Sequence, residues 1–390
     1  MKKLTFKLKD FQLKNKRVFL RADLNVPIKN GNILDDFRLE QILPTIDLIQ
    51  KNEGKVILAT HIDRPKKYDP NLSTKNLIIW FEKNGYKIDF EGNINDAIKK
   101  SFTDFDKILL LENLRFFEGE QKQSNEFAQS LAKLSDFYVN DAFGLLHRND
   151  TSITLLPKLF NKENRTIGLL VEKELEILGK ITKKTDHPFL IILGGGKVPD
   201  KIELLANLIN KVDGILLCPA IVFTFLKNQN KNVGKSLIDN ESLNIVNTIE
   251  QKIKSNNSKL LLPLDYIVAK DSLAGPLSTI DVENFSNDDI GISIGPKTAQ
   301  LFNEDIEKAR LIFFNGLPGF LDRKETLENI KSIFDAMSKS KAYTIIAGGD
   351  SVAAARLLGY QNNFNHLSTG GGAVLAYLSG KELPGLKFLN

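Results

Sequence analysis

Short apolar runs alternate with helical patterns along nearly the whole chain, and this alternation constrains the fold more than any other feature. "RVFLRAD", "KVILAT", "KILLLEN" and "DFYVND" read as strands in the first half, with amphipathic stretches such as "DDFRLEQILPTIDLIQK" and "SNEFAQSLAKL" between them. "PFLIILGGG", "GILLCPA", "RLIFFNG" and "AYTIIAGGD" continue the habit in the second half. Strands of unbroken apolar character are buried on both faces, and helical connections between them favour parallel pairing. The expected class is therefore α/β, with parallel sheets covered by helices. At 390 residues the chain exceeds one ordinary hydrophobic core, so two such domains are expected. Their boundary is expected near "NRTIGLLVEKELEILGKITKKTDHPF", where good helix formers at helical spacing give way to a lysine-rich stretch.

Composition narrows the function. The net charge of +5 suits small anionic ligands and lacks the dense basic footprint of nucleic-acid binders. No apolar run approaches the ~20 residues needed to cross a bilayer. The single cysteine, Cys218, excludes an intramolecular disulfide, and the basic start "MKKLTFKLKDF" lacks the apolar stretch of a signal peptide. A cytoplasmic protein is expected. Four histidines and one cysteine make no credible zinc set, and "GLLHRND" has no serine nucleophile beside it.

In open α/β sheets, ligands bind outside the carboxyl ends of the strands. Polar side chains recur at that place in the first half: Arg21, Asp23 and Asn25, then His61 and Arg64, then Asn113 and Arg115, then Asn140, Asp141, His147 and Arg148. Arg38 falls in the first turn of the helix after the first strand. A guanidinium fork matches phosphate or carboxylate oxygens, so several arginines on one edge imply a small, highly charged anion. Singly, each arginine is equally well explained as one half of a surface ion pair, and each histidine as structural.

The second half carries glycine-rich turns: "ILGGGKVPDK", "IGPKT", "FFNGLPGFLD", "AGGDSVAAARLLG" and "STGGGAVLAY". Such turns expose backbone N–H groups at helix starts and bind phosphate, although each alone also serves plain geometry. None fits the P-loop pattern. Lys197 and Lys201 lie four apart, a spacing that projects both from one face of a helix. Asp350 opens a helix after a strand, a suitable place for a carboxylate holding Mg²⁺ on a nucleotide. A nucleotide on one domain and a small acid on the other describe phosphoryl transfer.

These residues resemble those of the phosphoglycerate kinase family, in order and over essentially the whole chain. "RVFLRADLNVP", "DDFRLEQILPTI", "HIDRP", "LLLENLRF" and "YVNDAFGLLHR" resemble its first-domain motifs. "GLLVEKELEIL", "ILGGGKVPDKIELLANL", "LPLDYIVA", "IGPKT", "NGLPG", "AGGDS" and "STGGGA" resemble those of the interdomain helix, the second domain and the end. The resemblance implies two Rossmann-like domains: an N-terminal 3-phosphoglycerate-binding domain over 1–166, an interdomain helix over 167–180 and a nucleotide-binding domain over 181–365. It implies a segment over 366–390 that returns to the first domain. It further implies reversible phosphoryl transfer from 1,3-bisphosphoglycerate to MgADP, a hinge closure, and a monomer with no nucleic-acid or membrane partner.

Carried over position by position, Asp23, Asn25, Arg38, His61, Arg64, Arg115 and Arg148 would contact 3-phosphoglycerate. Arg21, Ala22, Ile62 and Asp63 belong to the same substrate-binding set, Arg21 chiefly as a brace. Arg38 would also neutralise the phosphoryl group in flight. Lys197 and Lys201 would face the nucleotide phosphates, with Gly348, Gly349, Asp350 and Ser351 around them, Asp350 on Mg²⁺ and Asp322 toward the ribose. Gly371 and Gly372 would offer backbone donors near the transfer point.

Several positions depart from the family pattern. Asp63 stands where glycine is usual, and Asp150 replaces a second histidine. Both bring negative charge near the anion site, and Asp63 is expected to turn outward toward Lys66 or Lys67. Cys218 and Pro219 replace a glycine pair where an adenine should lie, Asp322 and Ala376 stand for glutamates, and Ser351 stands for threonine. The altered nucleotide side leaves open a retired paralogue kept for binding, and a kinase acting on another carboxylate is held back by the full set of first-domain arginines. Retention of Arg38, Lys197, Lys201 and Asp350 together favours an active phosphoglycerate kinase.

Overall fold

The structure, a computed structural model, describes residues 7–103, 107–183 and 186–389. The first residues of the basic start, part of the lysine-rich boundary stretch and the final residue lie outside that description. The chain forms two compact units. One runs through Ile177 and resumes at Glu382; the other is Leu178–Lys381.

In the first unit six strands, β1 (Arg17–Ala22), β2 (Lys55–Ala59), β3 (Ile88–Glu91), β4 (Ile108–Leu111), β5 (Phe137–Asp141) and β6 (Arg165–Ile167), pair in the order β3-β4-β2-β1-β5-β6. Every pairing is parallel. The unbroken apolar runs foresaw this, because β4 and β5 are buried at every position. Helix α1 (Phe37–Lys51) turns Leu39, Ile42, Ile46 and Ile49 toward a core that holds Val18, Leu20, Val56 and Leu58. Register pairs Arg21 with Ala59 on one side and Asn140 on the other, so the carboxyl ends of three central strands lie level. Helix α2 (Leu169–Lys183) follows β6 and contains the division between Ile177 and Leu178.

The second unit contains β7 (Phe189–Gly195), β8 (Gly214–Ala220), β9 (Lys259–Leu261), β10 (Asp265–Lys270), β11 (Leu277–Asp281), β12 (Asp289–Ile294), β13 (Leu311–Asn315), β14 (Tyr343–Ala347) and β15 (His366–Leu367). Six form a second parallel sheet in the order β9-β8-β7-β13-β14-β15. The purely parallel expectation misses a small antiparallel sheet of order β11-β10-β12. Helices α3 (Val198–Leu208), α4 (Gly349–Leu357) and α5 (Gly372–Leu378) start at the carboxyl edge of the parallel sheet or just beyond it. Residues 366–381 were expected on the first domain, yet they belong to the second unit. There His366 pairs with Ile345, and Asn207 of α3 donates to the Leu378 carbonyl of α5 at 2.6 Å.

Candidate functional site

The carboxyl edge of the first sheet gathers the expected polar groups through short, specific contacts. Arg38, in the first turn of α1, donates from Nη1 to Asp23 Oδ1 at 2.8 Å and to the Asn25 carbonyl at 3.4 Å. The Asn25 side-chain oxygen accepts from the Asp63 N–H at 2.8 Å, and the Asp63 carbonyl accepts from Arg115 Nη1. Asp63 has φ +52°, a left-handed conformation that glycine takes freely and aspartate tolerates better than most residues. Its carboxylate is exposed, and among the described residues it pairs with neither Lys66 nor Lys67. Exposure leaves the Asp63 charge to water, without the expected lysine partner.

His61 is buried, and Nδ1 has no hydrogen-bond partner among the described residues. Burial, then the positive fields of Arg21, Arg115, Arg38 and Arg148, hold its pKa well below the ordinary value, so the imidazole is neutral. Arg115 is buried too, and burial followed by Arg148 lowers its guanidinium to about 10. Arg148 is half-buried and Arg64 exposed, and neither has an ion-pair partner among the described residues.

Three members of the expected substrate set face inward. Arg21 is fully buried, with Nε 2.7 Å from Ser152 Oγ and Nη2 3.4 Å from Glu120. The two-residue period of β1 is the reason: Leu20 and Ala22 point into the core beside α1, so Arg21 takes the opposite face. Ala22 and Ile62 are likewise buried, and the Ile62 carbonyl accepts from Asn113 at 2.8 Å. Arg21 is thus placed as a brace, and the side chains of Ala22 and Ile62 pack in the core. Asp141 ties this edge to α2 by accepting from Thr45 at 2.5 Å and from the Val171 N–H at 2.9 Å. Glu120 and Ser152, the partners of Arg21, went unread because nothing near them in sequence signals burial.

In the second unit the carboxyl ends of β7, β8, β13 and β14 open into a cavity of about 650 Å³. Lys197, Lys201, Asp322, Gly348, Gly349, Asp350, Ser351 and Gly371 all line it. Lys197 and Lys201 meet there, but not on one helical face. Lys197 is the cap residue outside α3, whose first turn holds a proline, and only Lys201 is helical. Lys201 is buried and donates to the Gly194 carbonyl; burial, then the neighbouring Lys197, lowers its ammonium to about 8. Gly316 has φ +94°, and a Cβ there would sit 1.9 Å from the Gly194 carbonyl oxygen. Gly348 has φ +98° and caps α4, whose first turn carries Asp350. Ser351 Oγ accepts from the Gly316 N–H at 2.9 Å, and Gly372 begins α5 beside Gly371.

Pro219 and Ala220 line the cavity, whereas Cys218 is buried behind them. Sequence reasoning missed the apolar wall of Leu237, Leu273, Ile290, Ile292 and Phe320, part of which comes from β12. Among the described residues no cluster of three His, Cys, Asp or Glu side chains could hold a metal alone. One carboxylate, Asp350, on this cavity still fits Mg²⁺, an ion that keeps waters and takes most of its remaining ligands from substrate phosphates.

Both edges carry groups suited to anionic oxygens, guanidinium forks in one unit and ammonium groups with helix-start backbone N–H groups in the other. That is the equipment of a phosphotransferase of α/β build. The sequence profile of phosphoglycerate kinase matches residues 8–381, and the chain belongs to the phosphoglycerate kinase family. A phosphoglycerate kinase of Dictyoglomus turgidum is 40% identical over 396 residues, covering 100% of this chain and 99% of its own. One of Finegoldia magna is 40% identical over 387 residues, covering 97% of each. The solved phosphoglycerate kinase of Coxiella burnetii matches with TM-score 0.82 at 31% identity, covering 98% of each chain. That of Pyrococcus horikoshii gives 0.84 at 29% identity, covering 99% of this chain and 98% of its own.

Proposed function

We propose that this chain catalyses the glycolytic transfer of a phosphoryl group from the acyl phosphate of 1,3-bisphosphoglycerate to MgADP, reversibly, giving 3-phosphoglycerate and MgATP. The observation that carries the reading is the presence, on one chain of this family, of an arginine edge and a separate cavity lined by Lys197, Lys201 and Asp350. Asp23 and Asn25 hold the hydroxy acid, and Arg38, Arg64, Arg115 and Arg148 neutralise its phosphate and carboxylate. His61, neutral, serves as a hydrogen-bonding group rather than a charge. Lys197 and Lys201 face the nucleotide phosphates, with backbone N–H groups of Gly348 to Ser351, Gly371 and Gly372 as further donors, and Asp322 meets the ribose. Asp350 would hold Mg²⁺, which arrives with the nucleotide and offsets phosphate charge. Positioning and charge neutralisation suffice for such a transfer, with Arg38, Lys197 and Lys201 acting on the transferred group. The acyl phosphate must be kept from water, so hinge closure is part of the proposal. A monomer working in the cytoplasm completes it; no described helix is long and apolar enough to cross a membrane.

The test is a coupled assay of ATP formation from 1,3-bisphosphoglycerate and MgADP, run beside MgGDP. Turnover with MgADP is expected. The ratio between the two nucleotides reports what the Pro219 wall does to base choice. Absence of turnover with either, in a protein that still binds 3-phosphoglycerate, would replace the kinase reading with a binding role.

A further inference from the structure

We propose that Asp150 is an internal counter-ion of Arg115, which an anionic substrate must displace, so that this one carboxylate sets the affinity of the arginine edge. The inference rests on the reading that the edge binds 3-phosphoglycerate. The buried Arg115 guanidinium is only partly satisfied: Nη1 donates to the Asp63 carbonyl, while Nε and Nη2 have no hydrogen-bond partner among the described residues. Asp150 Oδ2 lies 3.7 Å from Nη2, buried and equally without a hydrogen bond. At that separation the charges attract, but no hydrogen bond forms. Buried polar atoms in this condition are few in native proteins and need a reason. His61 Nδ1, within the field of Arg115, is a fourth such atom.

A phosphate or carboxylate of the ligand would complete Nε and Nη2 with bonds of ordinary length, as planar guanidinium groups do with oxyanions. The same ligand would meet Asp150, and like charges side by side in a desolvated site repel strongly. Arg148 and Arg21 add positive field at Arg115, and Glu120 adds negative field within reach of Asp150. The surroundings stay cationic, so the substrate binds, but more weakly than it would without Asp150.

Among the described residues the Asp150 carboxylate makes no side-chain hydrogen bond that would explain it otherwise. Asp150 is the cap residue of the short helix Thr151–Thr154, yet its side chain makes no capping hydrogen bond, and Ile153 and Thr154 bond to its backbone carbonyl. Asp150→Asn therefore removes the charge and keeps the shape, and Asp150→Ser is a second variant that retains a capping residue type.

The experiment is calorimetric titration of the parent and both variants with 3-phosphoglycerate, and with sulfate as a bare dianion, after circular dichroism has established that the variants fold. Each variant is expected to bind both anions at least about fivefold more tightly than the parent. Equal or weaker binding by the variants, with the parent binding normally, overturns the counter-ion inference and leaves the functional reading standing. If no form binds 3-phosphoglycerate, the functional reading falls and this inference falls with it.

Discussion

At the scale of single residues, the site depends on side chains and glycines with no substitute nearby. Arg38 bridges Asp23 and the Asn25 carbonyl while its side chain stays about a quarter exposed, at 26%, which suits a group that meets a phosphoryl oxygen. Arg38→Ala is expected to stay folded by circular dichroism and to lower kcat by ~10³, the scale of losing an arginine that stabilises phosphoryl transfer. A kcat within tenfold of the parent would remove Arg38 from the catalytic set. Gly316 combines positive φ with a Cβ direction blocked by the Gly194 carbonyl oxygen. Gly316→Ala is expected to destabilise the second unit by about 2–3 kcal/mol and to abolish MgADP binding, read by thermal melts and calorimetry. At Gly349 a Cβ would meet nothing within 4 Å, so Gly349→Ala should change stability by no more than ~0.5 kcal/mol in the same melts.

At the scale of elements, Asp141 joins the end of β5 to the start of α2. Burial pushes its carboxyl up to about 7, against 3.8 for an ordinary aspartate, with hydrogen bonds from Thr45, Val171 and Leu170 offsetting part of the rise. Folding therefore favours the protonated form. The stability this group contributes is fully present below pH ~4 and is lost as pH rises through about 7. Between pH 5 and pH 8 the parent is expected to lose roughly 2 kcal/mol more than Asp141→Asn, measured by urea unfolding of both proteins. Identical losses would mean that the carboxylate is ionised in the fold at both pH values. What was legible in the sequence follows the same physics. Parallel strands such as "KILLLEN" announce themselves because both faces are buried. Leu277–Asp281 is partly buried only at Leu277 and Ile280 and exposed elsewhere, so it carries no apolar run, and the antiparallel sheet it edges was invisible. The cationic edge was legible as a recurrence of arginines at strand ends. The inward turn of Arg21 was not, because its partner Glu120 lies 99 residues away in a stretch that looks like an ordinary charged helix. Lys197 and Lys201 were found for an incomplete reason: the spacing was right, but the helix begins one residue after Lys197.

At the scale of the whole molecule, two compact units with separate candidate sites predict separable responses. MgADP is expected to slow hydrogen exchange around 194–201, 316–322 and 348–351, and 3-phosphoglycerate around 21–25, 61–64 and 113–115. Equal protection of both units by either ligand alone would contradict this assignment. If transfer requires closure, the radius of gyration from X-ray scattering should fall only when both ligands are present. The two units also differ in how the chain supplies them. The second is one continuous run, whereas the first needs the stretch from Glu382 onward. There the Gly385 N–H bonds to the Leu146 carbonyl at 2.9 Å, and the glycine lies so close to Leu146 and Ile153 that a Cβ would collide with both. On the ribosome, the long run of the first unit thus emerges before the second unit but lacks the stretch from Glu382 onward until the second has been made. The half made later already has all of its own chain, so the order of synthesis and the order of completion run in opposite directions.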